Sequence, residues 1–314
     1  MKKILFIISL VLSIFIITSC TKKDEKIVKI MVPSGAPTLG LVKIWYEEEE
    51  LVDYKIEFES KSGADPLTAA ITSKSHNIVI APTNLGANLY SKNKGYVYAG
   101  TLTFGNLYLA SREKINLDDL EGKTINAFAQ NSTPDIILKK VLGDRINQIE
   151  IEYDSGVDHV VPKFISGTSE IALLAEPVLS NVKTKIDEDI YTIDLQTEYK
   201  NITGQVSYPQ AGIFINKTFA EENKSFVDAF LEKVVESVEF VNTEKESVSD
   251  YYKELELLPD FPKEVIINSI VGSNIDFLNS SDSKSLIDEY FNVIMEFNPQ
   301  FIGGKLPDKD FYLE

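Results

Sequence analysis

Between residues 27 and 175, short β-rich runs alternate with stretches of helical periodicity, and that alternation leaves few architectures open. The runs are Ile27–Val32 (IVKIMV), Tyr54–Phe58 (YKIEF), Asn77–Ala81 (NIVIA), Lys123–Ala129 (KTINAFA), Gln148–Tyr153 and Glu170–Ala175 (EIALLA). Helical spacing fills Thr38–Glu50, Asp65–Ser73, Asn84–Tyr90, Asp135–Leu142 and Val157–Ile165. Such alternation implies parallel sheets with helices on both faces, because each crossover lays its helix on the sheet. The last third differs: after one final predicted strand, Ala211–Ile215, come helical patterns over Glu221–Val241, Val248–Leu257, Lys263–Ile270 and Lys284–Phe297. These helices need a sheet to cover, and the economical path returns the chain to the first sheet. The expectation is an α/β chain of two doubly wound lobes, one discontinuous (27–113 and 211–314) and one continuous (114–210).

Ligands of open α/β sheets bind outside the carboxyl ends of the strands, so the residues following each strand matter most. Pro33-Ser34-Gly35-Ala36-Pro37-Thr38 follows the first run, Pro82-Thr83-Asn84 the third, Gln130-Asn131-Ser132-Thr133-Pro134 the fourth and Glu176-Pro177 the sixth. In three of the four loops a proline stands where the first helical residue should be, which suits its fixed φ and missing N–H. Sharply defined helix starts present unpaired N–H groups and partial positive charge toward the cleft. Any single loop taken alone reads as ordinary capping before ligand contact. The repetition at strand ends is what points to a site.

At the N-terminus Lys2 and Lys3 precede an apolar run from Ile4 to Ile17. A run of about 14 residues has the length of a signal-peptide core and falls short of the roughly 20 that span a bilayer. Residues 1–19 are therefore expected to be an export signal. Thr18-Ser19-Cys20 resembles a bacterial lipobox, in which Cys20 would receive a lipid before cleavage. It is the only cysteine in the chain, so no internal disulfide can form, and acylation would remove an exposed thiol from an oxidising compartment. Residues 20–26 then read as the lipid anchor and a short polar tether.

The chain carries a formal charge of −17, and removing the signal takes away two lysines and leaves it more acidic still. Such a surface repels phosphate backbones, so nucleic acid is not an expected partner. With 44% apolar and 25% charged residues, the rest is an ordinary globular mixture.

Several phrases together resemble one family: the lipobox, Pro33-Ser34-Gly35-Ala36-Pro37, Ile80-Ala81-Pro82-Thr83-Asn84-Leu85-Gly86, Asp119-Leu120-Glu121-Gly122-Lys123-Thr124-Ile125, Ala175-Glu176-Pro177 and Ile302-Gly303-Gly304-Lys305-Leu306-Pro307-Asp308. The chain is similar to the nitrate/sulfonate/taurine and thiamine-pyrimidine group of ABC-transporter substrate-binding proteins. That resemblance implies a type II periplasmic-binding fold whose lobes, joined by two crossover strands, close on a small-molecule solute. It implies an ABC permease with its ATPase as partner, an extracytoplasmic place on a bacterial cell membrane, at its outer face or in the periplasm, held through the lipid anchor, and a monomer. Phe104–Ser111 resembles the first hinge segment and Tyr208–Phe214 the return.

Carried over residue by residue, the resemblance turns Ser34, Gly35, Thr38, Thr83, Asn84, Asn106, Asn131, Ser132, Thr133 and Glu176 toward the cleft, with Phe104, Tyr108 or Tyr208 as stacking walls. None is Arg or Lys. Helix N-termini and hydroxyls can hold a sulfonate or nitrate without formal positive charge. Glu176 opposes a bare anion, however, and a carboxylate beside aromatic walls suits an N–H donor. A nitrogen-bearing solute, such as a pyrimidine precursor or an amino-sulfonate, is thus expected ahead of a simple oxyanion; Glu176 read as a plain N-cap residue remains the alternative.

Enzymatic readings have little to stand on. His76 and His159 are the only histidines, and neither has the spacing of a metal site. The cysteine-rich motif of relatives that make the thiamine pyrimidine is missing, as are hydrolase, Walker and dinucleotide patterns. No enzyme activity, cofactor or metal is expected. The alternative of a different class is a metabolite-sensing or adhesive surface lipoprotein without a transport role. Among features with structural readings, Trp45 is expected in the core, Glu47–Glu50 at a solvated helix end, and Phe301, Phe311 and Tyr312 packed back on the first lobe.

Overall fold

The computed structural model describes residues 25–93, 95–258 and 260–314. The expected export signal, Cys20 and all of the tether before Glu25 lie outside the described residues. The first run becomes β1 (Lys26–Pro33), followed by β2 (Glu50–Leu51), β3 (Tyr54–Lys61), β4 (Ile78–Pro82) and β5 (Tyr96–Phe104). The chain then passes into β6 (Leu107–Ser111), β7 (Thr124–Phe128), β8 (Glu150–Asp154), β9 (Ile171–Ala175) and β10 (Tyr191–Asp194), and returns through β11 (Pro209–Asn216) to β12 (Ile275–Asn279). Two sheets result, a seven-stranded one in the order β12-β5-β11-β4-β1-β3-β2 and a five-stranded one in the order β10-β6-β9-β7-β8.

Both sheets are mixed, which corrects the expectation of parallel sheets. The parallel core is β3-β1-β4 in the larger sheet and β8-β7-β9 in the smaller. β11 runs antiparallel to both β4 and β5, and β6 runs antiparallel to β9 and β10. The reason lies in the two crossings: a strand that enters a sheet through its tips, as β6 and β11 do, must run against the strands that end there. A second correction is β12, a strand beyond the expected last one. Its sequence IDFLN does not alternate cleanly, and pairing with the edge of β5, with a register shift between Ile275 and Leu278, makes it a strand. The expected single helix over Glu221–Val241 is divided into Lys217–Glu222 and Lys224–Thr243. Asn223 breaks it, because its side chain donates to the Phe219 carbonyl (2.9 Å) and accepts from the Tyr54 hydroxyl rather than staying in solvent.

Burial on both faces explains the near-continuous apolar strands. Val28, Ile30 and Val32 of β1 pack with the helices Ala36–Glu47 and Lys224–Thr243, whereas Met31 joins Val79 and Ala81 in a core on the opposite face. That second core does not stop at the larger sheet. Helix Ser280–Phe297 brings Ile287, Tyr290 and Ile294 into a cluster that also holds Leu109, Ile136 and Leu173 of the smaller lobe. The C-terminal aromatics pack as expected, with Phe311 fully buried and Tyr312 bridging to Tyr98. Trp45 is half-buried and stacks on Phe58 with ring centroids 4.8 Å apart, as a core residue should. Among the described residues no helix is long and apolar enough to cross a membrane.

Candidate functional site between the strand tips

Four helices begin directly after a strand tip with no side-chain cap on their N-terminal amides: Ala36–Glu47 after β1, Ala64–Ser73 after β3, Thr133–Leu142 after β7 and Val157–Ile165 after β8. Their N-cap residues are Gly35, Gly63, Ser132 and Gly156. By contrast, the helices starting after Asp194, Asn216 and Asn279 are capped by those side chains. The four tips thus leave their first N–H groups without a side-chain acceptor, as do the helices Lys224–Thr243, Lys245–Glu254 and Lys263–Gly272, which start away from strand tips. Gly35 (φ +111°) and Gly63 (φ +86°) have nothing within 4 Å of where a side chain would start, so their amides border open space. At the β7 tip Ala129 and Asn131 adopt positive φ, 56° and 61°. Asparagine tolerates this region, but alanine there is strained, and strain of this kind collects at binding sites.

The expected site residues divide into groups. Asn84 and Thr133 face each other across the lobes: the Thr133 hydroxyl donates to Asn84 Oδ1 at 3.1 Å and accepts from the Tyr290 hydroxyl at 3.0 Å. Ser34 and Ser60 hydroxyls meet at 3.1 Å above β1 and β3. Asn131 is exposed at the tip, and its N–H donates to the buried Asp135 at 2.7 Å. Ser132 donates to the Ala129 carbonyl at 2.6 Å. Thr83 is fully buried and donates to the Pro209 carbonyl at 2.5 Å, which ties the β4 tip to the returning strand.

Three expectations need correction. Tyr208 has no face for a solute: it is fully buried, lies between Tyr199 and Tyr290, and donates to Gln196 at 2.9 Å. Thr38 is likewise buried, its hydroxyl taken up by Tyr252 and the Gly35 carbonyl, because a hydroxyl in the first helical turn bonds back locally. Phe104 lines a different space, a groove of about 940 Å3 shared with Gln196, Val206, Val271, Asn274 and Leu286. None of the other expected residues lines that groove.

Asn106 and Glu176 meet where the first crossing reaches the β9 tip. Asn106 donates from Nδ2 to the Glu176 carbonyl at 3.1 Å, and its own carbonyl accepts the Glu176 N–H at 3.1 Å. Its N–H reaches Gln210 Oε1 at 3.3 Å on the returning strand. Only Oδ1 is left over, one of four buried side-chain atoms without a partner among the described residues and the one that sits in a crossing. Glu176 is 7% exposed, and its carboxylate accepts from the Ser180 N–H at 3.0 Å and the Ser180 hydroxyl at 2.9 Å. Burial pushes this carboxyl above its ordinary range, against the Ser180 bonds and the Lys183 charge that pull it down. Glu176 thus behaves as a helix-start acceptor, though a buried one rather than one in solvent. Tyr108 donates across the lobes to the Gly272 carbonyl at 3.0 Å, and burial pushes its phenol up, so it remains a donor.

Gln196, Gln210, Gly272 and Tyr290 escaped sequence reasoning. Their importance comes from contacts between lobes, which no local spacing announces. Among the described residues no group of three or more His, Cys, Asp or Glu side chains is arranged to hold a metal ion. His76 instead pairs with Glu59 at 3.2 Å, and His159 lies at the surface beside Asp158.

No family model and no curated protein sequence matches the chain. Solved structures do. An ABC transporter protein of Parabacteroides distasonis superposes with a TM-score of 0.79 at 21% identity, covering 92% of this chain and 99% of that one. The periplasmic aliphatic sulphonate-binding protein SsuA of Escherichia coli gives 0.67 at 14% identity over 87% of both chains. The periplasmic nitrate-binding protein NrtA of Synechocystis gives 0.59 at 12% identity, over 92% of this chain and 84% of that one. The chain therefore has the periplasmic-binding fold of these transporter proteins, two α/β lobes whose strand tips face each other across a double crossing.

Proposed function

We propose that the chain is the extracytoplasmic solute-binding component of an ABC importer, of the nitrate/sulfonate/taurine and thiamine-pyrimidine group, and that it takes a small nitrogen-bearing organic solute between its lobes. The observation that carries this reading is the set of four uncapped helix N-termini at the strand tips, accompanied by the partnerless Asn106 Oδ1. Free amides with helix dipoles behind them suit an acidic or strongly polar group. A buried amide oxygen with no donor suits an N–H. Asn106 takes over the discriminating role first given to Glu176, whose two oxygens already accept from Ser180. Asn84, Asn131, Ser132, Thr133, Ser34, Gly35 and Tyr108 complete the proposed lining. Sulfonate and nitrate recognition by the structural neighbours supports the anion half of the site. Attachment through Cys20, action as a monomer with a permease and ATPase, and the lack of catalysis belong to the same proposal.

Calorimetric titration with taurine, nitrate and a 4-aminopyrimidine tests it. A solute carrying an N–H should bind, and Asn106→Ala should weaken it about 10- to 100-fold, equivalent to the roughly 1.4–2.7 kcal/mol of one buried hydrogen bond. Nitrate binding that outcompetes both amines and ignores Asn106→Ala would overturn the nitrogen-bearing class. Silence with all three would count against the solute-binding reading as a whole.

A further inference from the structure

Gly272 ends the helix Lys263–Gly272 of the larger lobe and lies against the β9 tip of the smaller one. Its carbonyl accepts the Tyr108 hydroxyl at 3.0 Å. A Cβ added to it would lie 2.9 Å from Glu176 Cγ, 3.0 Å from the Tyr108 hydroxyl oxygen and 3.3 Å from Glu176 Oε1. Those neighbours are poorly able to move. Glu176 is held at its carboxylate by Ser180, at its N–H by Asn106 and at its carbonyl by the Asn106 amide. Glycine is not required here by the backbone, because Gly272 is helical and is not among the glycines with positive φ. Alanine in a helix interior is favoured over glycine by roughly 0.5–1 kcal/mol, an advantage that shrinks at a last turn. What the missing side chain provides is therefore room for the other lobe.

We infer that Gly272 is a positioning residue for solute capture, its bare Cα being the seat that Glu176 and Tyr108 occupy when the lobes shut. This rests on the reading of the chain as a solute-binding protein whose lobes open and close. A second contact between the lobes is the relay from Tyr290 through Thr133 to Asn84. Closing therefore requires close approach at both contacts, and Gly272 governs one of them. Glu176 acts at this contact as an interlobe packing group.

Gly272→Ala separates this role from a merely structural one, since its own helix tolerates the change. Measured without added solute, the variant should scatter as a more expanded particle than the parent, whose radius of gyration should be about 19 Å for a compact chain of this length. Amide exchange over residues 176–183 should rise at least tenfold, and the melting temperature should stay level or rise. Removing the obstructing groups in the same chain, by Glu176→Ala or by Tyr108→Phe, should bring the scattering profile back toward the parent. An unchanged profile, or an expansion that neither second change relieves, overturns the inference. A chain that binds none of the solutes above defeats the functional reading but leaves this comparison intact, because it is made without solute.

Discussion

Phe311→Ala should lower the stability of the folded chain by about 3–5 kcal/mol, the range for deleting a fully buried phenylalanine ring. Only three residues of the sequence follow Phe311, and positions so near a chain end usually tolerate substitution unless they are tied down. Here the ring is fully buried, stacked on Tyr98 at 5.6 Å and edge-on to Tyr90 at 5.1 Å and Tyr312 at 5.0 Å. Phe214 and Phe291 complete the cluster. The chain end is pinned on either side, by Leu313 N–H to the Tyr98 carbonyl at 2.8 Å and by the Tyr312 hydroxyl to Asp288 at 2.8 Å. A cavity there cannot collapse easily, because Tyr98 belongs to β5 in the interior of the sheet and its neighbours are rigid rings. The drop should appear as a lower urea midpoint with an unchanged slope. A loss under 1 kcal/mol would show that the tail contributes little to the core.

The same cluster shows what the sequence discloses and what it withholds. That an aromatic tail folds back could be read from three large rings in a polar ending, but its docking place on Tyr98 could not. β1, β4 and β9 are legible because strands buried on both faces are near-continuously apolar, broken in the middle of β1 only by the exposed Lys29. β5 is just as buried along its whole length, yet its YVYAGTLTF run mixes small, polar and aromatic residues and carries no plain strand pattern. Thr101 is tolerated there because partners are at hand, its hydroxyl bonding Tyr98 and Ser283. The tips follow the same division. Ser, Gly, Asn and Pro after a strand mark a helix start from local chemistry alone, and each expected start after β1, β4, β7 and β9 is present. Whether a given hydroxyl faces a guest or a neighbour depends on residues far along the chain. Thr38 is taken up by Tyr252 and Tyr208 is enclosed by Tyr199 and Tyr290, and no local pattern encodes either partner.

The crossings themselves are the least legible part and carry the last prediction. Gln196, 6% exposed, holds both with one oxygen: Oε1 accepts the Leu107 N–H at 2.8 Å, just after the outward crossing, and the Tyr208 hydroxyl at 2.9 Å, just before the return. Its Nε2 donates to Asp194 at 3.0 Å, which fixes the amide so that the oxygen points at the hinge. Gln196→Ala would leave two donors on fully buried residues without an acceptor. Each such loss costs about 1–3 kcal/mol, so the variant should be less stable by roughly 2–6 kcal/mol. The consequence should extend beyond stability, because the Tyr208 ring stacks on Tyr290, whose hydroxyl supports the Thr133–Asn84 contact between lobes. Amide exchange at Leu107 and over residues 204–209 should therefore accelerate more than in the strands of either sheet. Gln196→Glu distinguishes a lost acceptor from lost packing. A carboxyl buried beside Asp194 would have its pKa raised, so the protonated form, which still offers an acceptor, should recover stability as the pH falls through that raised value. Equal instability of the Glu and Ala variants down to the ordinary carboxylate range would mean that shape, not the shared hydrogen bond, joins the two crossings.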